Sequence, residues 1–296
     1  MAWHLLRAMR PRQWSKNAFV FTALIFSEER LWTQREPVLA TLFAFVLFCL
    51  AASAIYLVND LVDIEKDRLH PRKCNRPLAS GKISPKMAVI AAAVLFVATF
   101  IGGYALDPDG EFFLTLLAYV AIQGFLYSYL LKNIVMLDIL TVAAGFVLRA
   151  VAGAVVLNII ITHWLLVCMG LLAIFLSIGR RRHELVLLEQ GAGEHRRILK
   201  EYSLPLLDQM IAIITASLIM AYSMITFSAP AVPHEPYPVL MITIPFVIYG
   251  IFRYLYLVYQ RDGGGAPDEL VLTDKPLAIN IVLWGLTVLG VLYLFR

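Results

Sequence analysis

Long apolar runs, each closed by a short polar or charged break, repeat along the whole of this 296-residue chain. Each run is about 17 to 24 residues long, enough at 1.5 Å per residue for a helix to cross a hydrocarbon core of roughly 30 Å. The pattern predicts nine membrane helices, at about 17–33, 37–58, 86–106, 112–131, 134–157, 161–178, 207–228, 237–259 and 276–295. Glu28, Glu29 and Arg30 interrupt the first of these. Ahead of it, Trp3, Leu5, Leu6 and Met9 share residues 2–10 with Arg7 and Arg10 until Pro11, which reads as a short interfacial helix. The expected fold is therefore an all-α integral membrane bundle, a single polytopic domain over 1–296.

Composition agrees. With 60% hydrophobic and 16% charged residues and a mean hydropathy of +0.76, the chain is excluded from the soluble class. The net charge of +4 says less than its distribution. If the N-terminus is cytoplasmic, all of the 25 Lys and Arg except Arg30, Arg35, Arg296 and the intramembrane Arg149 fall on the inner side. Nine crossings then place the C-terminus outside. The inner side also receives the long loops 59–85, 179–206 and 260–275, where chemistry is expected. Cys49, Cys74 and Cys168 show no CxxC spacing, so neither a disulfide framework nor a zinc site is suggested. No short apolar core with a small-residue cleavage site marks a signal peptide, and nothing points to nucleic acid. A homo-oligomer is compatible with the sequence.

The most informative polar stretch follows the second run: Asn59-Asp60-Leu61-Val62-Asp63-Ile64-Glu65-Lys66-Asp67. On a helix, Asp60, Asp63 and Asp67 share one face, with Asn59 one turn behind Asp63. Carboxylates so placed repel one another unless a cation lies between them. Hard oxygen donors suit Mg²⁺, which shares its shell with water and substrate phosphates. A solvated acidic helix end is the plain alternative, but this one sits at a membrane boundary with strong cations directly after it. Asp60, Asp63 and Asp67 are the expected metal ligands and catalytic carboxylates.

The second inner loop opens Ser177-Ile178-Gly179-Arg180-Arg181-Arg182-His183-Glu184. If the helix continues, Arg180 sits one turn before Glu184 and Arg181 shares its face. Arginine holds phosphate bidentately, so Arg180, Arg181 and Glu184 are candidate substrate contacts, with inner-leaflet anchoring as the competing reading. The fifth run carries Asp138, Thr141, Gly145 and Arg149 on one face, Arg149 roughly 16 Å deeper than Asp138. Intramembrane ionisable groups face a cavity or a partner. The stripe is expected to line an internal cavity open to the inner side; for Arg149 a salt bridge to a carboxylate competes. Lys16, Arg76, Lys82, Tyr127 and Lys132 are further inner-side candidates.

Asn59-Asp60-x-x-Asp63-x-x-x-Asp67, followed by His70-Pro71-Arg72-Lys73-x-Asn75-Arg76-Pro77-Leu78-Ala79-Ser80-Gly81, resembles the first aspartate-rich motif of the UbiA superfamily of intramembrane prenyltransferases. The resemblance extends over essentially the whole chain. Aromatic prenyltransferases of that superfamily carry a second aspartate cluster after the sixth span. Here that place reads Arg180-Arg181-Arg182-His183-Glu184. With Arg10-Pro11-Arg12-Gln13-Trp14-Ser15-Lys16-Asn17 and Leu148-Arg149-Ala150-Val151-Ala152-Gly153, the pattern is similar to the branch typified by decaprenyl-phosphate phosphoribosyltransferases.

That resemblance implies Mg²⁺-dependent transfer of 5-phosphoribose from phosphoribosyl diphosphate to a polyprenyl phosphate at the cytoplasmic face of the cell membrane. Charge supports the same branch: two phosphate-bearing substrates in one pocket need cations where relatives have a second acidic patch. In this reading Asn59, Arg76, Lys82, Arg180 and Arg181 meet the donor, and Lys16, Lys132 and Arg149 are candidates for the lipid phosphate. Two alternatives stand beside it. One is a prenyl diphosphate transferase with an aromatic or haem-like acceptor. The other is a transporter or lipid-phosphate carrier, against which the one-sided placement of the charges argues.

Overall fold

The computed structural model describes residues 2–69, 73–189, 197–228, 237–261, 270 and 273–295. All regular structure among them is helical, with no strand. A short helix α1 (Ala2–Ala8) leads through a 3₁₀ helix (Pro11–Phe21) into α2 (Thr22–Phe26). Then come α3 (Arg35–Val62), α4 (Ile64–Leu69), α5 (Pro85–Leu106), α6 (Glu111–Tyr129) and α7 (Leu137–Val156). The rest are α8 (His163–Glu189), α9 (Leu204–Ser228), α10 (Val239–Gln260) and α11 (Lys275–Leu294).

Among the described residues eight helices are long and apolar enough to cross a membrane, α3 and α5 to α11, against the nine expected. The stretch 17–33 breaks into pieces. Ser27 is extended (ψ 144°), Arg30 is left-handed (φ 52°), and a single 3₁₀ turn over Leu31–Thr33 follows. The charges at 28–30 that interrupt the apolar pattern thus also end the helix. An outer C-terminus rested on an odd number of crossings, and eight candidate spans do not carry that inference.

The chain forms two compact units: Met1–Lys132 with Gly145–Ile160, and Asn133–Ala144 with Ile161–Arg296. In the first unit, α3 runs through the middle. At 28 residues it is roughly 42 Å long, so it outruns the hydrocarbon core. Small residues on it (Ala44, Ala51, Ala54) are fully buried, and Phe48 packs against Phe112 and Tyr119. The 3₁₀ segment crosses α7 at Gly153, where a Cβ would sit 2.0 Å from the Val20 carbonyl oxygen. Only glycine permits that approach. The N-terminal segment is stitched to α3 by Ser53: its hydroxyl lies 3.2 Å from the Met9 carbonyl and accepts from the Trp14 indole N–H at 3.1 Å.

The second unit packs Ile139, Phe175, Ile178, Leu207, Ile211 and Tyr254 into its core. Polar pairs tie its helices together. The Trp284 indole donates to the Tyr222 hydroxyl at 2.7 Å, and that hydroxyl lies 2.7 Å from Thr243 Oγ1. Asp274 caps α11 through the Leu277 N–H (2.9 Å) and pairs with Arg253 on α10 (2.8 Å). The Arg253 hydrogen bonds hold the Asp274 carboxyl below its ordinary value of 3.8. A depressed carboxyl stabilises above its unfolded pKa, so this tie is intact at neutral pH and is lost as pH falls through the lowered value.

Two stability predictions follow from these contacts. Gly153→Ala is expected to cost about 1–3 kcal/mol and to lower the melting temperature of the purified protein. Gly290→Ala, whose Cβ would meet open space, is the control and is expected not to. Asp274→Asn, which keeps the cap, is expected to melt below the wild type and above Asp274→Ala, the lost cap being worth about 1 kcal/mol.

Candidate functional site

The acidic cluster lies at the C-terminal end of α3, a helix longer than a hydrocarbon core is thick. The helix ends at Val62 and resumes as α4 at Ile64, but Asp63 N–H still bonds Asn59 O (3.0 Å) and Asp67 N–H bonds Asp63 O (2.8 Å). The helical phase therefore survives the break, and Asp60 and Asp67 stay on one side. Both are buried, at 3% and 4% exposure. Asp63 is half-exposed and only loosely paired, 3.9 Å from Lys66 Nζ.

Burying two carboxylates requires cations within hydrogen-bond reach. Arg76 supplies one: Nη1 donates to Asp67 Oδ2 at 2.6 Å and to Asp60 Oδ1 at 3.3 Å. Arg10 supplies the second, Nη2 donating to Asp60 Oδ1 at 2.6 Å. The path that delivers Arg76 is built by the residues after it. Pro77, Leu78 and Ala79 are buried, Gly81 turns with φ 73°, Ile83 N–H bonds Pro77 O, and Leu78 and Ile83 join Leu57 and Ala88 in a small core. The Pro77–Gly81 motif is thus an apolar anchor whose effect is to aim Arg76 at the acids.

Beside Asp60 lies a cavity of about 180 Å³, lined by Arg7, Arg10, Asp60, Asn75 and Arg76 with Ala8 and Pro77. Sequence spacing does not mark Arg7, Arg10 or Asn75 as site residues. The signal was present, because Arg10 precedes Pro11 in a basic segment, but its contact with Asp60 spans 50 residues. Among the described residues no three acidic, His or Cys side chains converge in a metal-binding group. The expected triple ligation by Asp60, Asp63 and Asp67 is thus not assembled. The donor chemistry still fits a hard divalent ion: two buried carboxylates, a half-buried Asn59 and Asp63 lie within nine residues, and arginines hold the acids' charge.

Deeper in the same unit, Arg149 is 8% exposed and, among the described residues, has no carboxylate as a bonded partner. It donates to Asn17 Oδ1 (2.7 Å), Gly145 O (2.7 Å) and Tyr119 OH (2.8 Å), and its guanidinium stacks on the Tyr119 ring. Its charge is thus solvated by neutral dipoles rather than cancelled, and the salt-bridge alternative is replaced by this cage. Helix α6 widens into a π-turn over Val120–Leu126, which puts the Gln123 side chain against Gly145. Lys16, Tyr127 and Lys132 are half-buried, and Lys82 is exposed.

In the second unit, Asp138 is fully buried. It accepts from Arg181 Nε (2.7 Å) and from the Tyr202 hydroxyl (2.8 Å), and Arg181 Nη1 donates to Glu184 at 2.5 Å. Met136, itself left-handed at φ 67°, donates its N–H to the same Tyr202 oxygen. Burial, then the nearby Asp138, push the Tyr202 phenol up to about 12, so it remains a neutral donor at physiological pH. Arg182 pairs with Asp208 (2.7 Å) and stacks on Tyr259. Of the three consecutive arginines, two are therefore engaged by carboxylates within their own unit; Arg180 is half-buried. The stripe Asp138, Thr141, Gly145, Arg149 is buried throughout, but its first two residues belong to the second unit and its last two to the first.

The profile of the UbiA prenyltransferase family matches residues 18–271. The chain is 34% identical to the decaprenyl-phosphate phosphoribosyltransferase of Corynebacterium glutamicum over 294 residues, covering 98% of this chain and 87% of that protein. It is 33% identical to the protein of the same name from Mycobacterium tuberculosis over 288 residues, covering 96% and 92%. A UbiA homologue from Archaeoglobus fulgidus, solved with GPP and Mg²⁺, superposes with a TM-score of 0.70 at 18% identity over 98% of this chain and 100% of that one.

The carboxylate–arginine bridge makes a local prediction. Arg76→Gln is expected to destabilise the protein by about 1–3 kcal/mol, because Asp67 loses its charged donor. Adding Asp67→Asn is expected to recover part of that loss. Strict additivity of the two substitutions in a melting-temperature cycle would show that the bridge carries no energy.

Proposed function

The chain belongs to the UbiA prenyltransferase family, and we propose that within it this protein transfers 5-phosphoribose from phosphoribosyl diphosphate to a polyprenyl phosphate, releasing diphosphate. The carrying observation is the buried Asp60–Asp67 pair with its two arginines, opening on a polar cavity rather than an apolar one. One-third identity to phosphoribosyltransferases over nearly the full chain supports the donor assignment.

Asp60 and Asp67, with Asp63 and Asn59, would hold Mg²⁺, which supplies Lewis-acid neutralisation of the leaving diphosphate when bound. Arg76 and Lys82 add positive charge to the diphosphate. Lys16, Lys132 and Arg149 hold the lipid phosphate, whose chain occupies the apolar faces of the helices. Of the second unit's arginines we assign Arg180 to phosphate contact, since carboxylates already engage Arg181 and Arg182. Arg181, with Glu184, Asp138 and Tyr202, fixes the helix end that carries Arg180.

The acceptor's phosphate oxygen is already anionic near pH 7. It forms the new bond to the anomeric carbon while the bond from that carbon to the diphosphate breaks, and no general base is required. Fixed cations and positioning carry the rate enhancement. We assign the reaction to the cytoplasmic side, a reading supported by the Lys and Arg bias of the sequence.

Purified protein is expected to move label from ribose-labelled phosphoribosyl diphosphate into a polyprenyl phosphate only with Mg²⁺ present. Asp60→Asn is expected to reduce kcat by at least about 100-fold while the melting profile stays cooperative. Incorporation from a prenyl diphosphate into an aromatic acid instead would overturn the assignment.

A further inference from the structure

Of the two arginines on Asp60, Arg76 is shared between two carboxylates and Arg10 is bound to one. Arg76 alone reaches both Asp60 and Asp67. Arg10 is nonetheless held on Asp60 Oδ1 at 2.6 Å, from a backbone in the left-handed region (φ 55°, ψ 62°) that a residue with a Cβ adopts at a cost. That backbone is locked. Its N–H bonds Arg7 O (3.3 Å), its carbonyl accepts from Gln13 N–H (2.9 Å), and Ser53 holds the carbonyl of the preceding Met9. The side chain is less confined. It is 31% exposed, and its guanidinium lies 4.6 Å above the Tyr56 ring. A flat cation resting on an aromatic face and bound by one edge can turn to a new acceptor without moving the main chain.

The cavity beside it has the chemistry of such an acceptor's site. Arg7, Arg10 and Arg76 line it against one carboxylate, and Asn75 adds an amide. A prenyl tail finds little apolar wall there, whereas a phosphate monoester finds charge-assisted donors. The donor in the reading above carries two anionic ends, a diphosphate at one side of the sugar and a phosphate at the other.

We propose that this cavity is the subsite for the sugar's 5-phosphate, and that Arg10 exchanges Asp60 for that phosphate when the donor binds. The inference rests on phosphoribosyl diphosphate being the donor. The exchange couples recognition to readiness: the 5-phosphate draws away the guanidinium that occupies Asp60, freeing a carboxylate oxygen only when the correct sugar is present. Arg10 is then the residue that selects a phosphorylated sugar.

The test compares phosphoribosyl diphosphate with ribosyl 1-diphosphate, which lacks the distal phosphate, in wild-type and Arg10→Gln proteins. Wild type is expected to favour the phosphorylated donor, and Arg10→Gln to raise its KM roughly 10- to 100-fold while shifting that of ribosyl diphosphate by less than about 3-fold. Equal shifts for both donors overturn the subsite. A wild-type protein that turns over no phosphoribosyl diphosphate overturns the parent reading and this inference together. Should Arg10→Gln not fold, Arg7→Gln at an exposed position serves. Ribose 5-phosphate, but not ribose, is expected to inhibit the wild type, and Arg7→Gln to weaken that inhibition about 10-fold. Unchanged inhibition overturns the subsite.

Discussion

A carboxylate withdrawn from water at the end of a membrane helix must find positive charge within hydrogen-bond distance, and Asp60 is such a group. Much of the first unit can be understood as meeting that demand. Helix α3 is long enough to carry Asp60 beyond the hydrocarbon core. The buried Pro77–Ala79 turn brings Arg76 back across sixteen residues, and the N-terminal segment, pinned at Ser53 and passed under Gly153, delivers Arg10. The residues that build the loop are apolar, yet their consequence is electrostatic.

The same physics recurs in different forms elsewhere. In the second unit Asp138 is satisfied by Arg181 and by a tyrosine whose hydroxyl also fixes the backbone at Met136. Around Arg149 the compensation is dipolar, from Asn17, Tyr119 and a backbone carbonyl. A cation kept charged by neutral groups attracts an anionic ligand, whereas one cancelled by a carboxylate mostly holds helices in place. That contrast separates Arg149 from Arg181 and Arg182.

Much of this was legible in the sequence. Apolar run lengths gave the eight long helices, because membrane thickness sets a minimum length for a span. The spacing of Asp60 and Asp67 gave their common side, because helical phase is local. Partner choice was not legible. Arg10 and Arg149 reach residues 50 and 132 positions away, and such pairings depend on where the packed chain runs. The break-up of 17–33 escaped for a related reason: hydropathy averages over a window, whereas a single left-handed residue decides the local structure.

The central claim is that the carboxylates at the end of α3 hold a divalent ion together with the donor. Electron paramagnetic resonance of Mn²⁺, a paramagnetic stand-in for Mg²⁺, tests it without relying on turnover. Wild-type protein with phosphoribosyl diphosphate is predicted to immobilise Mn²⁺ beyond what the donor alone binds, and Asp60→Asn to lose that signal. Equal Mn²⁺ uptake by the two proteins would contradict the account.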